Sequence, residues 1–375
     1  MTVPSCLVCG AAQWIVLPDP APRSMASDWR IVDEPLARQM CRACGLIRRR
    51  STVSTDTSFY ASGYALYAHP PGEAREESRQ AEYARWIAQA TGRRPRRVLD
   101  VGCGNGSLLR ALRTYWPAAE MLGCDPSRES IAQGYGGDLR LWTGTASTLP
   151  SDVSVDLVIA VNVIEHTTDP MAFLSALRAA LQPDGTIVIV CPDGAKPGLD
   201  LLFVDHVFSF GREHLGSLLS RVGMQRLGAS QAPPSLGAFQ MAIGRRRDAT
   251  QAKALHAPPR VEDVTRYLER WQQLDAQLQT RIEGPAVCFG ASEAAGLLRA
   301  YAPRAWASVR ACATDGSPQG RFGDLPLIPI DAVTKDAQVL VGVRPLDQAR
   351  VAERLRARFS RVITWYDLVD VEARG

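Results

Sequence analysis

The stretch that most narrows the possible fold is Val98-Leu99-Asp100-Val101-Gly102-Cys103-Gly104-Asn105-Gly106. A short apolar run ends in a glycine-rich turn, and residues 107–116 read as the helix that follows. Glycine lets the backbone approach a ligand, and a helix start offers free N–H groups and partial positive charge. Residues 120–125 form the next strand and end in Asp125, about 20 residues further on, where a carboxylate takes ribose hydroxyls. The turn reads G-x-G-x-G, not the G-x-G-x-x-G of nicotinamide enzymes.

Around this turn the chain alternates short apolar segments with helical ones. Strands are expected at 98–101, 120–125, 139–142, 155–163 and 186–191, with a helix at 170–181. This pattern predicts parallel β-α units with a buried sheet. Upstream, 72–91 reads as a helix carrying Tyr83 and Trp86. Downstream, 248–259 reads as a polar linker, and 261–282 as a helix. The alternation then restarts, with strands at 286–290, 308–314, 339–343 and 362–365. The expected fold is therefore α/β, with domains at 1–55, 56–247 and 248–375.

Four of the nine cysteines form two pairs, Cys6-x-x-Cys9 and Cys41-x-x-Cys44, each followed by glycine. Two such knuckles suit one tetrahedral zinc, because each short turn offers two thiolates to the same ion. Four ligands leave no open position, so the zinc is expected to be structural. The intervening stretch, with Pro18, Pro20, Pro22 and Pro35, reads as irregular, with little core of its own. The other five cysteines read as small core residues. The chain starts without a basic and apolar leader and has no long apolar run, so a cytosolic location is expected. At 46% apolar and 22% charged, its 375 residues have ordinary globular usage, and a net charge of +4 gives no strong call for nucleic acid.

The glycine turn, Asp125 and Val163-Ile164-Glu165-His166 together resemble class I S-adenosylmethionine-dependent methyltransferases over about 95–245. That resemblance implies a Rossmann-like core with S-adenosylmethionine as cofactor. It places Asp100, Gly102, Gly104 and Gly106 at the methionine and ribose end and Asp125 on the ribose. Pro126, Thr145 and Ala146 would lie near the adenine, and Asn162 near the methionine portion. The three-block layout is similar to sugar C-methyltransferases, which carry an N-terminal zinc-binding domain and a C-terminal Rossmann-like domain. Phe289-Gly290-Ala291-Ser292-Glu293 fits the start of that last domain, and residues 319–330 are similar to its nucleotide-sugar-like loop. The group's Tyr-His-Glu-His stretch reads Phe203-Val204-Asp205-His206 here; the aspartate and last histidine stand where an acid and a histidine are expected, and the first two positions depart.

Methyl transfer needs in-line placement of an acceptor and a base for its proton. His166, just past the fourth strand, and His206, beside Asp205, are the candidate bases; a structural role at a helix start is the alternative for His166. His214 reads as part of a surface helix, and His69 and His256 as solvated. Tyr60, Tyr64 and Tyr67 precede the core. The resemblance implies that a tyrosine here reaches the acceptor, with Tyr64 the candidate, and a packed aromatic cover is the alternative. Arg245-Arg246-Arg247 reads as the solvated end of a strand. The expected partner is a small molecule, foremost a nucleotide-linked keto sugar methylated at carbon. The rivals are O- or N-methylation of another small precursor, an RNA methyltransferase gripping its substrate with the knuckles, and a non-catalytic cofactor-binding module.

Overall fold

A computed structural model describes residues 4–50, 60–61, 74–134, 138–247, 261–316 and 318–369. Contacts divide the chain into two compact units: Met1–Ile15, Gln39–Asp200 and Asp205–Pro259 in one; Val16–Arg38, Leu201–Val204 and Arg260–Gly375 in the other. The paired cysteines thus stay with the central residues, while the stretch between the pairs groups with the C-terminal residues.

The first unit is built on a seven-stranded sheet in the order Met224–Gln231, Phe239–Arg246, Leu181–Pro192, Val155–Val161, Arg97–Val101, Glu120–Asp125, Leu139–Thr143. Five strands from Leu181–Pro192 to Leu139–Thr143 run parallel. The apolar runs of the four strands from Leu181–Pro192 to Glu120–Asp125 are buried on both faces, as an α/β sheet requires, while the edge strand Leu139–Thr143 is only partly covered. Trp86, Ile87, Leu109 and Leu112 pack with the strands in one core cluster; Leu174, Leu177, Leu215 and Leu218 pack with them in another. The helix Pro170–Ala179 starts sharply because Asp169 accepts from the N–H groups of Met171 and Ala172 and proline occupies its first turn.

The parallel pattern expected for the five strands between 98 and 191 holds, and two further strands add to it by antiparallel pairing. Met224–Gln231 and Phe239–Arg246 are an antiparallel hairpin, and the second of them pairs antiparallel with Leu181–Pro192. The connection, with Pro233, Pro234 and Gly237 at φ 93°, is too short for a crossover helix.

The knuckle region is more regular than its prolines imply. Trp14–Val16, Arg38–Cys41, Ile47–Arg49 and Phe208–Ser209 make a four-stranded sheet in that order, and Ser24–Met25 pairs with Ile31–Val32. The fourth strand comes from far along the chain and lies antiparallel to Ile47–Arg49. No sequence period announces such a strand.

The second unit carries a six-stranded sheet in the order Arg321–Phe322, Leu325–Pro329, Val309–Thr314, Ala286–Phe289, Gln338–Val341, Arg361–Ile363. Only Arg321–Phe322 is antiparallel to its neighbour. Trp271, on the helix Val261–Gln279, is fully buried and meets Tyr301 and Trp365 edge-on at 5.7 and 5.6 Å. No helix of the described residues is long and apolar enough to cross a membrane.

Candidate functional site

In the first unit the strand order reverses at Arg97–Val101, whose neighbours Val155–Val161 and Glu120–Asp125 lead the chain away in opposite directions. A crevice opens at the carboxyl ends of such strands. Gly102, Gly104 and Gly106 sit there at φ 82°, 52° and 79°. A Cβ on Gly102 would stand 2.4 Å from Val163 Cγ2, whereas one on Gly104 would meet nothing within 4 Å. The turn is thus pressed against the Asn162-Val163 loop at one glycine and faces open space at the next.

Asp125 ends its strand with both carboxylate oxygens fixed: Gly104 N donates to one at 2.9 Å and Ser127 N to the other at 2.8 Å. Each oxygen keeps acceptor capacity for a hydroxyl. Burial raises its pKa, and the two backbone donors oppose that rise. Its carbonyl accepts from Gly144 N at 3.0 Å, which brings the Gly144-Thr145 turn to the same edge. Pro126 is half-buried beside it, and Ala146 opens a short 3-10 turn with Thr145 as its cap.

Two buried oxygens at this edge lack a hydrogen-bond partner among the described residues: Asp100 Oδ1 and Asn162 Oδ1. Burial, helped by the charge of Asp125, pushes Asp100 up to about 7. A cationic amino group is the natural complement of such a carboxylate. Asn162 holds φ 56°, a left-handed conformation that asparagine tolerates better than most residues. Its strain falls where the strand must turn sharply into the 3-10 turn Ile164–His166. Glycine cradle, tethered carboxylate and orphaned acceptors together fit a nucleoside bearing an α-amino acid tail, as S-adenosylmethionine does.

Four residues beyond Asn162 lies a second group. Glu165, His166 and His206 place a carboxylate and two imidazoles within 4.8 Å of one another. His166 Nδ1 lies 3.1 Å from the carbonyl of Asp205 and 3.5 Å from Asp205 Oδ2. A carbonyl only accepts, so Nδ1 carries the proton and Nε2 keeps the lone pair. Tyr60 Oη stands 3.0 Å from the same Nδ1. His206 meets His166 edge-on, ring centroids 4.7 Å apart. Burial lowers the pKa of His166, and the charge and carbonyl of Asp205 oppose it, so the imidazole is neutral at pH 7. Neither oxygen of Glu165 finds a partner among the described residues. Burial first, then the charges of Asp200 and Asp205, push its pKa up to about 8. Such a group is the sharpest electrostatic feature of the site, and a Glu-His dipeptide in a sequence gives no sign of it.

Of the tyrosines ahead of the core, Tyr60 is the one placed against His166; Tyr64 and Tyr67 lie outside the described residues, as do His69 and His256. His214 is not on a surface helix face as expected but is buried. Its Nδ1 accepts from Gly211 N at 2.9 Å, so its Nε2–H donates to the carbonyl of Cys44 at 2.8 Å. Both nitrogens are spent on structure.

That bond leads to the knuckles. Cys6, Cys9, Cys41 and Cys44 bring their sulfurs within 4.8 Å of one another. Cys6 and Cys44 stand 3.6 Å apart and Cys9 and Cys41 3.5 Å. A disulfide needs about 2.05 Å, whereas sulfurs about 2.3 Å from a tetrahedral zinc are separated by about 3.8 Å. All nine cysteines are free, and the five outside the knuckles are buried as expected. The Cys44 thiol holds Cys6 down at about 5, while Cys6 and burial push Cys44 up. Four thiolates so packed call for a soft divalent ion.

Glycine turn, tethered carboxylate and orphaned acceptors lie at one sheet edge and make a cradle of the right chemistry for a nucleoside cofactor. Residues 75–227 match the family model described as "Methyltransferase domain". The chain is 35% identical over 101 residues to a ubiquinone biosynthesis O-methyltransferase of Parvibaculum lavamentivorans, covering 25% of this chain and 39% of that protein. A protein of the same description from Rhodopseudomonas palustris is 33% identical over 99 residues, with shares of 25% and 38%. The chain thus spans about two fifths of the length of these curated relatives. Among solved structures, the 1,6-didemethyltoxoflavin-N1-methyltransferase of Burkholderia thailandensis superposes on 45% of this chain and 79% of its own. Its sequence identity is 22% and its TM-score 0.38. This chain carries a class I S-adenosylmethionine-dependent methyltransferase domain over 75–227, with a four-cysteine cluster near its N-terminus.

Proposed function

We propose that this protein transfers a methyl group from S-adenosylmethionine to a small molecule, with His166 as the base. The observation that carries the reading is the His166–Asp205 pair, set on the loop that leaves the cofactor cradle. Asp100, Gly102, Gly104, Gly106 and Asn162 would hold the methionine and ribose end, Asp125 the ribose, and Pro126, Thr145 and Ala146 the adenine. S-adenosylmethionine supplies an electrophilic methyl group. Nε2 of His166 takes the proton of the acceptor, and the electron pair left behind becomes the nucleophile. The nearby Asp205 carboxylate and carbonyl stabilise the imidazolium so formed. His206 stands edge-on to His166, with ring centroids 4.7 Å apart. Zinc at Cys6, Cys9, Cys41 and Cys44 would brace the knuckles. The proposed domain division is 1–55, 56–247 and 248–375.

The most specific form of the proposal is C-methylation of a nucleotide-linked keto sugar. A ketone acidifies the neighbouring C–H, so a neutral imidazole can remove that proton and leave an enolate. O- or N-methylation is the second reading, and one observation favours it. Phe203 and Val204, where the sugar enzymes carry tyrosine and histidine, are buried apolar residues that offer an acceptor no polar group. Labelled S-adenosylmethionine and a panel of nucleotide-linked keto and hydroxy sugars, read by mass spectrometry, separate the two. Label on carbon supports the first reading. Label on oxygen or nitrogen supports the second, and no transfer to any member, with cofactor still bound, overturns the sugar assignment. His166→Ala is expected to lower turnover by about 100-fold or more, and His206→Ala by less.

A further inference from the structure

The pair Asp205-His206 is strung between two anchors. On its C-terminal side Arg49 N donates to Val207 O at 2.9 Å, and Phe208–Ser209 pairs with Ile47–Arg49. On its N-terminal side the four residues Leu201–Val204 group with the second unit, and the chain passes back at Asp205. The grip on those four residues is dense. Arg38, fully buried, donates from Nε to Leu201 O at 2.8 Å and from Nη2 to Phe203 O at 2.7 Å. Tyr301 Oη donates to Leu202 O at 2.5 Å. Val204 N donates to Met25 O at 2.8 Å, and Met25 bridges Phe203 as a parallel partner. Three successive carbonyls, 201, 202 and 203, are thereby fixed by side chains from sequence positions far away. A bare glycine deepens the fit: a Cβ on Gly296, five residues before Tyr301 on its helix, would lie 2.6 Å from Met25 Sδ.

Burying a guanidinium costs a great deal unless its donors are used. Ordinary packing of a loop would not call for one. Aimed at two carbonyls, its rigid fork sets both the position and the direction of the peptide planes. Those planes run directly into Asp205, whose carbonyl and carboxylate fix the tautomer and orientation of His166.

We infer that Arg38 and Tyr301 are positioning residues for the Asp205–His166 pair. They hold the backbone of Leu201–Val204 and so fix where Asp205 presents itself to the base. The inference rests on the methyl-transfer reading for its consequence, but not for its test. It gives the C-terminal residues a part in the chemistry without requiring them to touch the acceptor.

The test uses the full-length chain with 13C-labelled histidine, which has five histidines to resolve. Signals are assigned with His166→Gln and His206→Gln. Tyr301→Phe, which deletes one hydroxyl and keeps the ring packing, and Arg38→Gln are compared with Phe359→Leu, a core change in the same unit. Tyr301→Phe is expected to move the His166 titration midpoint by about half a pH unit or more, because the Asp205 charge and hydrogen bond that tune it are displaced. His214 keeps its midpoint. On an identified acceptor, kcat falls about 10- to 100-fold with KM for S-adenosylmethionine unchanged. Phe359→Leu lowers the melting temperature and leaves both readouts alone. A His166 titration in Tyr301→Phe that superposes on wild type, with only stability reduced, overturns the inference, whatever the activity. Should Arg38→Gln fail to fold, Tyr301→Phe alone decides.

Discussion

At the residue scale the site is governed by what burial does to charge. Glu165 and Asp100 are carboxyls without partners among the described residues, and both are held up in pKa, to about 8 and about 7. A buried acid whose folded pKa lies above its unfolded value favours folding fully only below the unfolded value. For Glu165 that support is expected to fade as pH rises from 4.5 through about 8. Glu165→Gln, which stays neutral, should flatten the fall in unfolding free energy across this window; an unchanged slope in urea titrations at several pH values would place the neutral carboxyl elsewhere. His166 bears the opposite sign of argument. Asp205 raises a pKa that burial lowers, so Asp205→Asn should drive the acidic limb of kcat/KM to lower pH. It should also cost about 100-fold or more in kcat by loosening the tautomer. A limb that moves upward would contradict the dyad.

Among elements, the glycine turn and the loop after Val155–Val161 act as one piece. Gly102→Ala forces a side chain into positive φ and against Val163. It is expected to destabilise the fold by about 1–3 kcal/mol and to weaken S-adenosylhomocysteine binding. Calorimetry checks this. Gly104→Ala makes a useful contrast: it shares the positive-φ strain, but its Cβ meets nothing within 4 Å, so it should destabilise the fold less than Gly102→Ala and still weaken binding. The strand Phe208–Ser209 shows how little an element's sequence can reveal. Two residues carry no periodicity, and their place is set by Ile47–Arg49 across the sheet. His214 departs from its expected surface position for a related reason. It belongs to a helix with polar neighbours, yet its two ring nitrogens are taken by Gly211 and Cys44.

For the whole molecule, the four-cysteine cluster and the candidate base are mechanically linked. The cluster's Cys41 ends a strand beside Ile47–Arg49, which pairs with Phe208–Ser209, the strand that begins three residues past Asp205. Purified protein is expected to hold one zinc per chain by mass spectrometry of metals. Cys6→Ser, or stripping by chelator, should lower methyl transfer at least tenfold and melting temperature by several degrees while S-adenosylhomocysteine binding persists. Equal loss of cofactor binding would show that the ion braces the cradle instead.

What the sequence determined by itself was local. The order of strand, glycine turn and helix, the spacing of Asp125 and the two Cys-x-x-Cys pairs each depend on a few neighbouring residues, and their chemistry is written in residue type. That legibility extended to the α/β class, the glycine turn at the sheet edge and the thiol cluster. Only the tertiary structure decided which nitrogen of His166 is free, that Tyr60 stands beside it, and that Glu165 is a buried acid. It also decided that Arg38, more than 160 residues upstream, holds the carbonyls before Asp205. Desolvation and hydrogen-bond direction depend on what surrounds a group in space, and folding supplies those surroundings from distant parts of the chain.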